Sequence, residues 1–130
     1  MNMATQAVPK SDDDVIEQEI QRKGKTAARM TPADIEAAIV SEHYFTAAHG
    51  IHGADANVKC DIHSPLSLLT FCVLVLRNGF TVTGESACAS PENFDAEIGR
   101  KIARQNAVTK IWPLEGYLLK ERLAEYRSQE

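Results

Sequence analysis

From Leu68 to Ser86 the chain reads LLTFCVLVLRNGFTVTGES, two runs rich in β-branched and aromatic residues flanking Asn78-Gly79. The runs predict two antiparallel strands. Asn-Gly predicts a two-residue type I′ turn, because both central positions need positive φ. That turn sets Val75 opposite Val82, Val73 opposite Gly84 and Phe71 opposite Ser86. Phe71, Val73, Val75, Phe80 and Val82 then share one face, and Cys72, Leu74 and Leu76 share the other with Thr81, Thr83 and Glu85. A ribbon apolar on most of both faces does not stand alone in water, so each face needs a cover.

Around the hairpin the apolar period is helical. Val15, Ile16 and Ile20 behind Asp12, Asp13 and Asp14 predict a helix over 13–23 that stops at Gly24. Thr31 as N-cap, Pro32 at the first position and Asp34 returning a bond predict a second helix, carried by Ile35, Ala38, Ile39, Tyr44 and Phe45 to about Ala48. Residues 49–65 lack an apolar period and predict a long loop. Ser90 and Pro91 predict the start of a helix that Pro113 ends. On it Phe94, Ile98, Ile102, Val108 and Trp112 form one stripe, the expected cover for the Phe71/Val73/Val75 face. Ala96, Gly99, Ala103 and Ala107 form a second face that admits a close neighbour. A last helix fills 114–130. Residues 1–12 are polar and predict a disordered tail before a single domain over 13–130. The expected fold is α+β: an antiparallel hairpin-centred sheet on two C-terminal helices, with one or two N-terminal helices. The hairpin face and the small-residue face left over predict a homodimer or larger symmetric oligomer.

The composition narrows the class. At 130 residues the chain suits one domain, and 44% hydrophobic with 25% charged residues is ordinary for a globular protein. No apolar run approaches the ~20 residues that span a bilayer. The net charge of -4 argues against nucleic-acid and anionic-membrane binding. Three cysteines, an odd number, fit a reducing cytoplasm.

No nucleophile elbow, P-loop or Rossmann glycine pattern occurs, and no enzyme or cofactor is expected. His49, His52, Cys60 and His63 form an H-x2-H-x7-C-x2-H pattern whose ligand types would suit a tetrahedral zinc; a flexible surface loop that happens to hold these residues is the preferred explanation, and no metal is assigned. The most suggestive polar pair is Arg100 with Arg104. One turn apart, they repel unless something anionic lies between them, either Glu97 or carboxylates of the last helix, or a bound phosphate. Around them Thr83, Asn78 and Asn93 offer hydroxyl and amide groups, and Phe80 offers a ring for stacking on a base.

Two runs, IEAAIVSEHYFTAAHG and LTFCVLVLRNGFTVTGESACASPENFDAEIGRKIARQNAVTKIWPLEGYLL, resemble the phage gene-product forty-nine/sixty-six family, over roughly two-thirds of the chain. That resemblance implies a phage or prophage origin and an accessory, non-virion role in the infected cell. A fainter likeness, of architecture and size, is to the Thoeris anti-defence sponges. These sequester cyclic ADP-ribose-type signals, and some take up cyclic oligonucleotides. It implies a non-enzymatic protein of the host cytoplasm that sequesters a phosphate-containing cyclic nucleotide. Arg100 and Arg104 would hold phosphate, Phe80 would stack, and Asn93, Thr83 and Asn78 would bond ribose or base. The rival expectation is a module that inhibits or redirects a host protein. A zinc-supported nucleic-acid accessory protein is a third.

Overall fold

The computed structural model describes residues 12–25 and 27–128. Helix α1 (Asp12–Arg22) leads to a short α2 (Pro32–Ala37), then to strand β1 (Ile39–Thr46) and helix α3 (Ala47–Ala54). Strands β2 (Leu69–Leu76) and β3 (Thr81–Ala87) follow, and α4 (Ala96–Ser128) closes the chain. The three strands form one antiparallel sheet in the order β1-β2-β3. The class is α+β, as the sequence predicts. The polar tail expected over 1–12 lies, apart from Asp12, outside the described residues.

The hairpin forms, but its turn is one residue longer than Asn-Gly implies. Leu76 N–H donates to Phe80 O and Gly79 N–H to Leu76 O, each at 2.8 Å. Among the described residues only Gly24 and Gly79 have positive φ, Gly79 at 87°. The loop is therefore Arg77, Asn78 and Gly79, a tight turn followed by a glycine bulge rather than a type I′ turn. Asn78 serves through its side chain, whose Oδ1 accepts the Phe80 N–H at 3.0 Å. The extra residue slips the register by one, so Leu74 meets Val82, Val73 meets Thr83 and Cys72 meets Gly84. A slip of one sends every side chain of a strand to the opposite face. Val82 and Gly84 thus join Cys72, Leu74 and Leu76 on a uniform buried face, and Thr81, Thr83 and Glu85 turn the other way with Phe71, Val73 and Val75.

The buried face is covered by α4, though not by the stripe the sequence suggests. Gly99, Ala103, Ala107 and Ile111, spaced i, i+4, lie on it, whereas Ile98 and Ile102 remain 56% and 43% exposed. The reason is proximity. A Cβ at Gly84 would collide with the Ala103 carbonyl oxygen and the Ala107 amide nitrogen, and one at Gly99 would come within 3.0 Å of Thr70 Oγ1. Backbones this close leave room only for small side chains. Leu74, Cys72 and Ile111 are fully buried in the resulting core with Ile35 and Ala38, and each large aliphatic there contributes ~1.5–3 kcal/mol. On the Phe71/Val73/Val75 side, Gly50 of α3 lies close to the Phe45 ring. That face is half-buried, with Phe45 of β1 stacked on Phe71 at 5.4 Å between ring centroids.

Three further expectations are corrected. The helix drawn from Thr31 to Ala48 is α2 followed by β1. The capping box of Thr31 and Asp34 starts α2 as predicted, but IVSEHYFT is β-branched and aromatic in character and pairs with β2. The loop of 49–65 begins inside α3, because Thr46 and His49 form a second capping box. Finally, Pro113 does not end a helix, and the two C-terminal helices are one of 33 residues. Its start is not Ser90, which makes no side-chain cap bond, but Asp95, whose Oδ1 accepts the Ile98 N–H at 3.1 Å. Pro113 removes one helical hydrogen bond. Buried Ile111 and Glu115 hold the helix on either side of it.

Arg77, in the hairpin turn, makes a two-pronged ion pair with Glu115, both contacts at 2.9 Å. The turn therefore lies beside Glu115. Past Gly116 the remaining 12 residues of α4 carry it a further ~18 Å at 1.5 Å per residue. Helix α1 has no buried residue and is tied on by Glu17–Arg29 and by Trp112, whose Nε1–H donates to Asp13 at 3.0 Å.

Candidate functional site

The two arginines singled out from the sequence both lie on α4, but they line different cavities. Arg104 is engaged by carboxylates: its Nε–H donates to Glu42 at 2.6 Å, and its two terminal nitrogens donate to Glu36 at 3.0 and 2.7 Å. These bonds, Glu36 first, raise the Arg104 pKa further above its ordinary value, and Arg104 in turn lowers that of Glu42. Tyr44 O–H also donates to Glu42, at 2.8 Å. Burial first, then this bond, pushes the Tyr44 phenol up, and burial raises the neighbouring Cys72 thiol. The chain Glu36–Arg104–Glu42–Tyr44 thus fastens α2, β1 and α4 together. A guanidinium has five N–H donors, so Arg104 keeps two after these three bonds.

Arg100, one turn earlier, is exposed and has no carboxylate partner among the described residues. It lines a small cavity of about 220 Å³ with Tyr44, Phe45, Thr46, His49 and Phe94. Asn93 is on the other flank of α4, in a cavity of about 140 Å³ beside Ser86, Ile98 and Ile102. Thr83 points to the open sheet face, opposite Val73. Phe80 and Asn78 are at the hairpin tip, with Phe80 54% exposed. No one cavity gathers the six. Arg100 and Glu115, which marks the level of the tip, are 15 residues apart on one helix, ~22 Å along it at 1.5 Å per residue.

The His-containing segment builds a larger feature. A cleft of about 780 Å³ is lined by His49, His52, Lys59, Cys60, His63 and Phe94 with several apolar neighbours. His49 and His52 share a face of α3, one turn apart. Among the described residues no three His, Cys, Asp or Glu side chains stand close enough to hold one metal ion. Reading the sequence found the histidines but not Lys59, nor the carboxylates of Glu36 and Glu42. The Thr46-x-x-His49 cap is the signal that would have placed α3 and its face.

No helix among the described residues is long and apolar enough to cross a membrane. No curated protein and no solved structure matches the chain. One family model does, over residues 30–123, a span that takes in β1, the His-containing cleft, the hairpin and α4 as far as Leu123. The chain belongs to the phage protein family typified by phage N4 Gp49 and phage Sf6 gene 66.

Proposed function

We propose that this phage-family protein is a non-enzymatic accessory factor that binds and sequesters a phosphate-containing cyclic nucleotide, of the cyclic ADP-ribose or cyclic-oligonucleotide type, in the host cytoplasm. The observation that carries the reading is a pairing of exposed groups: an aromatic ring, Phe80, on the hairpin tip, and a guanidinium, Arg100, with no carboxylate partner among the described residues. Arg104 adds two spare N–H donors beside it. These groups lie too far apart in one chain to share a small ligand. A second copy running antiparallel would bring the tip of one protomer to the Arg100 end of the other, and exposed Ile98 and Ile102 supply apolar surface for such a pairing. Stacking and a bidentate phosphate contact are what a sequestering site needs, and neither requires catalytic groups.

Isothermal titration with cyclic ADP-ribose isomers and with cyclic di- and trinucleotides tests the reading, alongside light scattering for the oligomer. Binding that is lost in Arg100→Ala and in Phe80→Ala is expected. Failure of the wild-type protein to bind any of these nucleotides would sink it, and binding that survives both substitutions would move the site elsewhere. A second reading, a module that redirects a host protein, draws on the far end of α4, where Tyr117 and Tyr126 are 69% and 67% exposed. Changing both to Ser separates the two: under the second reading the protein keeps nucleotide-independent folding but loses its effect in infected cells.

A further inference from the structure

We infer that the cleft between α3, the segment through Lys59 and His63, and Phe94 is a binding site for a small organic anion with a flat apolar body. This inference does not rest on the nucleotide reading, and its residues are not those assigned to that ligand. The chain has four histidines, and three of them line this one cleft together with Lys59. The protein as a whole carries a net charge of -4, yet Glu92 is the only carboxylate in the lining. Against a protein that is acidic as a whole, this lining balances Lys59 against Glu92 and adds three imidazole rings, which leaves the lysine and the ring N–H groups as the contacts for an anionic group. The volume, about 780 Å³, falls within the range of small-molecule sites, and Ile62, Leu68, Pro91 and Phe94 give it apolar walls. Ile62 is 75% exposed, an aliphatic side chain left on the rim with nothing packed over it.

Two of the imidazoles are held in place before any ligand arrives. His52 Nδ1 lies 2.9 Å from the Val58 carbonyl oxygen. A carbonyl only accepts, so Nδ1 carries a proton, and in the neutral ring Nε2 is the acceptor. His49 Nδ1 accepts the Thr46 N–H at 3.4 Å in the capping box, which leaves Nε2 as the donor in the neutral ring. One ring presents an N–H and the other an acceptor. That pair matches an anion that also bears a hydroxyl or amide. Fixing the rings in advance lowers the ordering cost of binding. Lys59 supplies the charge, and Phe94 a surface for a planar ring to stack on.

The test uses the full chain and anilinonaphthalene sulfonate, an aryl anion of the inferred class. Saturable binding of one probe per chain is expected. In a histidine-ring NMR spectrum the His49, His52 and His63 signals shift and that of His43, which lies on the open sheet face opposite Val73, does not. Lys59→Glu and Ile62→Asp are surface changes that leave the fold intact, as an unchanged unfolding midpoint would verify. Each is expected to weaken probe binding at least tenfold. The inference is overturned if no probe binds, if His43 shifts as much as the other three, or if both variants bind like the parent.

Discussion

Replacing Gly84 by alanine tests the tightest approach found at any described glycine. The added Cβ would meet the Ala103 carbonyl oxygen and the Ala107 amide nitrogen, both backbone atoms of α4. No rotamer change relieves such a clash, so the helix must withdraw from the sheet. A withdrawal of ~0.5–1 Å already forfeits a quarter to a half of the contact energy of atoms packed across a gap. Overpacking a core ordinarily costs ~1–3 kcal/mol. Here the loss is shared by Cys72, Leu74, Val82, Ala103 and Ala107, all buried along the same interface, which puts Gly84→Ala at the upper end, ~3 kcal/mol. Domains of this size are stable by only ~5–15 kcal/mol, so the variant should fold but lose much of its margin.

Urea unfolding reads this directly. With a slope of ~1–3 kcal/mol per molar, the midpoint should fall by ~1–3 M at unchanged slope. Gly116→Ala is the internal comparison. It lies in the same helix, has no neighbour within 4 Å of the added methyl, and should stabilise by ~0.5–1 kcal/mol through helix propensity. If Gly84→Ala stays within ~0.5 kcal/mol of the parent while Gly116→Ala behaves as stated, then proximity is not what selects the Gly99/Ala103/Ala107 row over the Ile98/Ile102 stripe.

Other expectations follow from individual contacts. Removing Arg77 leaves the Glu115 carboxylate, 4% exposed, without its partner; Arg77→Ala should cost ~1–3 kcal/mol, and adding Glu115→Leu should recover part of it, since an apolar replacement ends the unpaired burial. The guanidinium of Arg29 holds Glu17 at a pKa of about 2, below its ordinary 4.5. A depressed folded-state pKa contributes stability that is complete above pH ~4.5 and disappears as pH falls toward 2. Carboxyl NMR should place the Glu17 midpoint near the lower value in the parent and higher in Arg29→Ala, where the Gln21 hydrogen bond at 2.9 Å is the remaining cause of lowering. Cys60 and Cys88 are partly exposed whereas Cys72 is buried with its thiol raised, so a thiol reagent at neutral pH should modify two cysteines in the native protein and the third only after unfolding.

Much of the fold is legible in the chain, and the failures share a cause. The Thr31 cap, helix α1 and the two strands of the hairpin follow from local chemistry, and all form, although the α1 stripe of Val15 and Ile16 stays exposed. Where one pattern satisfies two structures, tertiary packing decides. Ile39, Tyr44 and Phe45 fit a helical period and a strand equally, and β1 is a strand because β2 offers it a partner. Asn78-Gly79 fits a two-residue and a three-residue loop, and the longer one brings Val82 and Gly84 onto the helix side. Pro113 is a helix breaker by local rules, yet the core contacts of Ile111 and Glu115 outweigh one missing hydrogen bond. Local signals identify elements, but they do not reveal which side of an element another will cover.

The same limit governs the candidate sites. Arg100 and Arg104 sit one turn apart on α4, as the spacing requires, but nothing in the spacing distinguishes them. Their difference comes from α2 and β1, which bring Glu36 and Glu42 to Arg104 and no acid to Arg100. Under the proposed function Arg100 is therefore the better phosphate contact of the two, because among the described residues it has no ion pair to give up; a phosphate at Arg104 would have to use its two remaining donors or displace a carboxylate. The histidines follow an analogous course. Their H-x2-H-x7-C-x2-H order suggests coordination, but α3 and the loop spread them along the walls of a cleft. Spread imidazoles beside a lysine and a phenyl ring are poorly arranged for one small ion and well arranged for a larger anion.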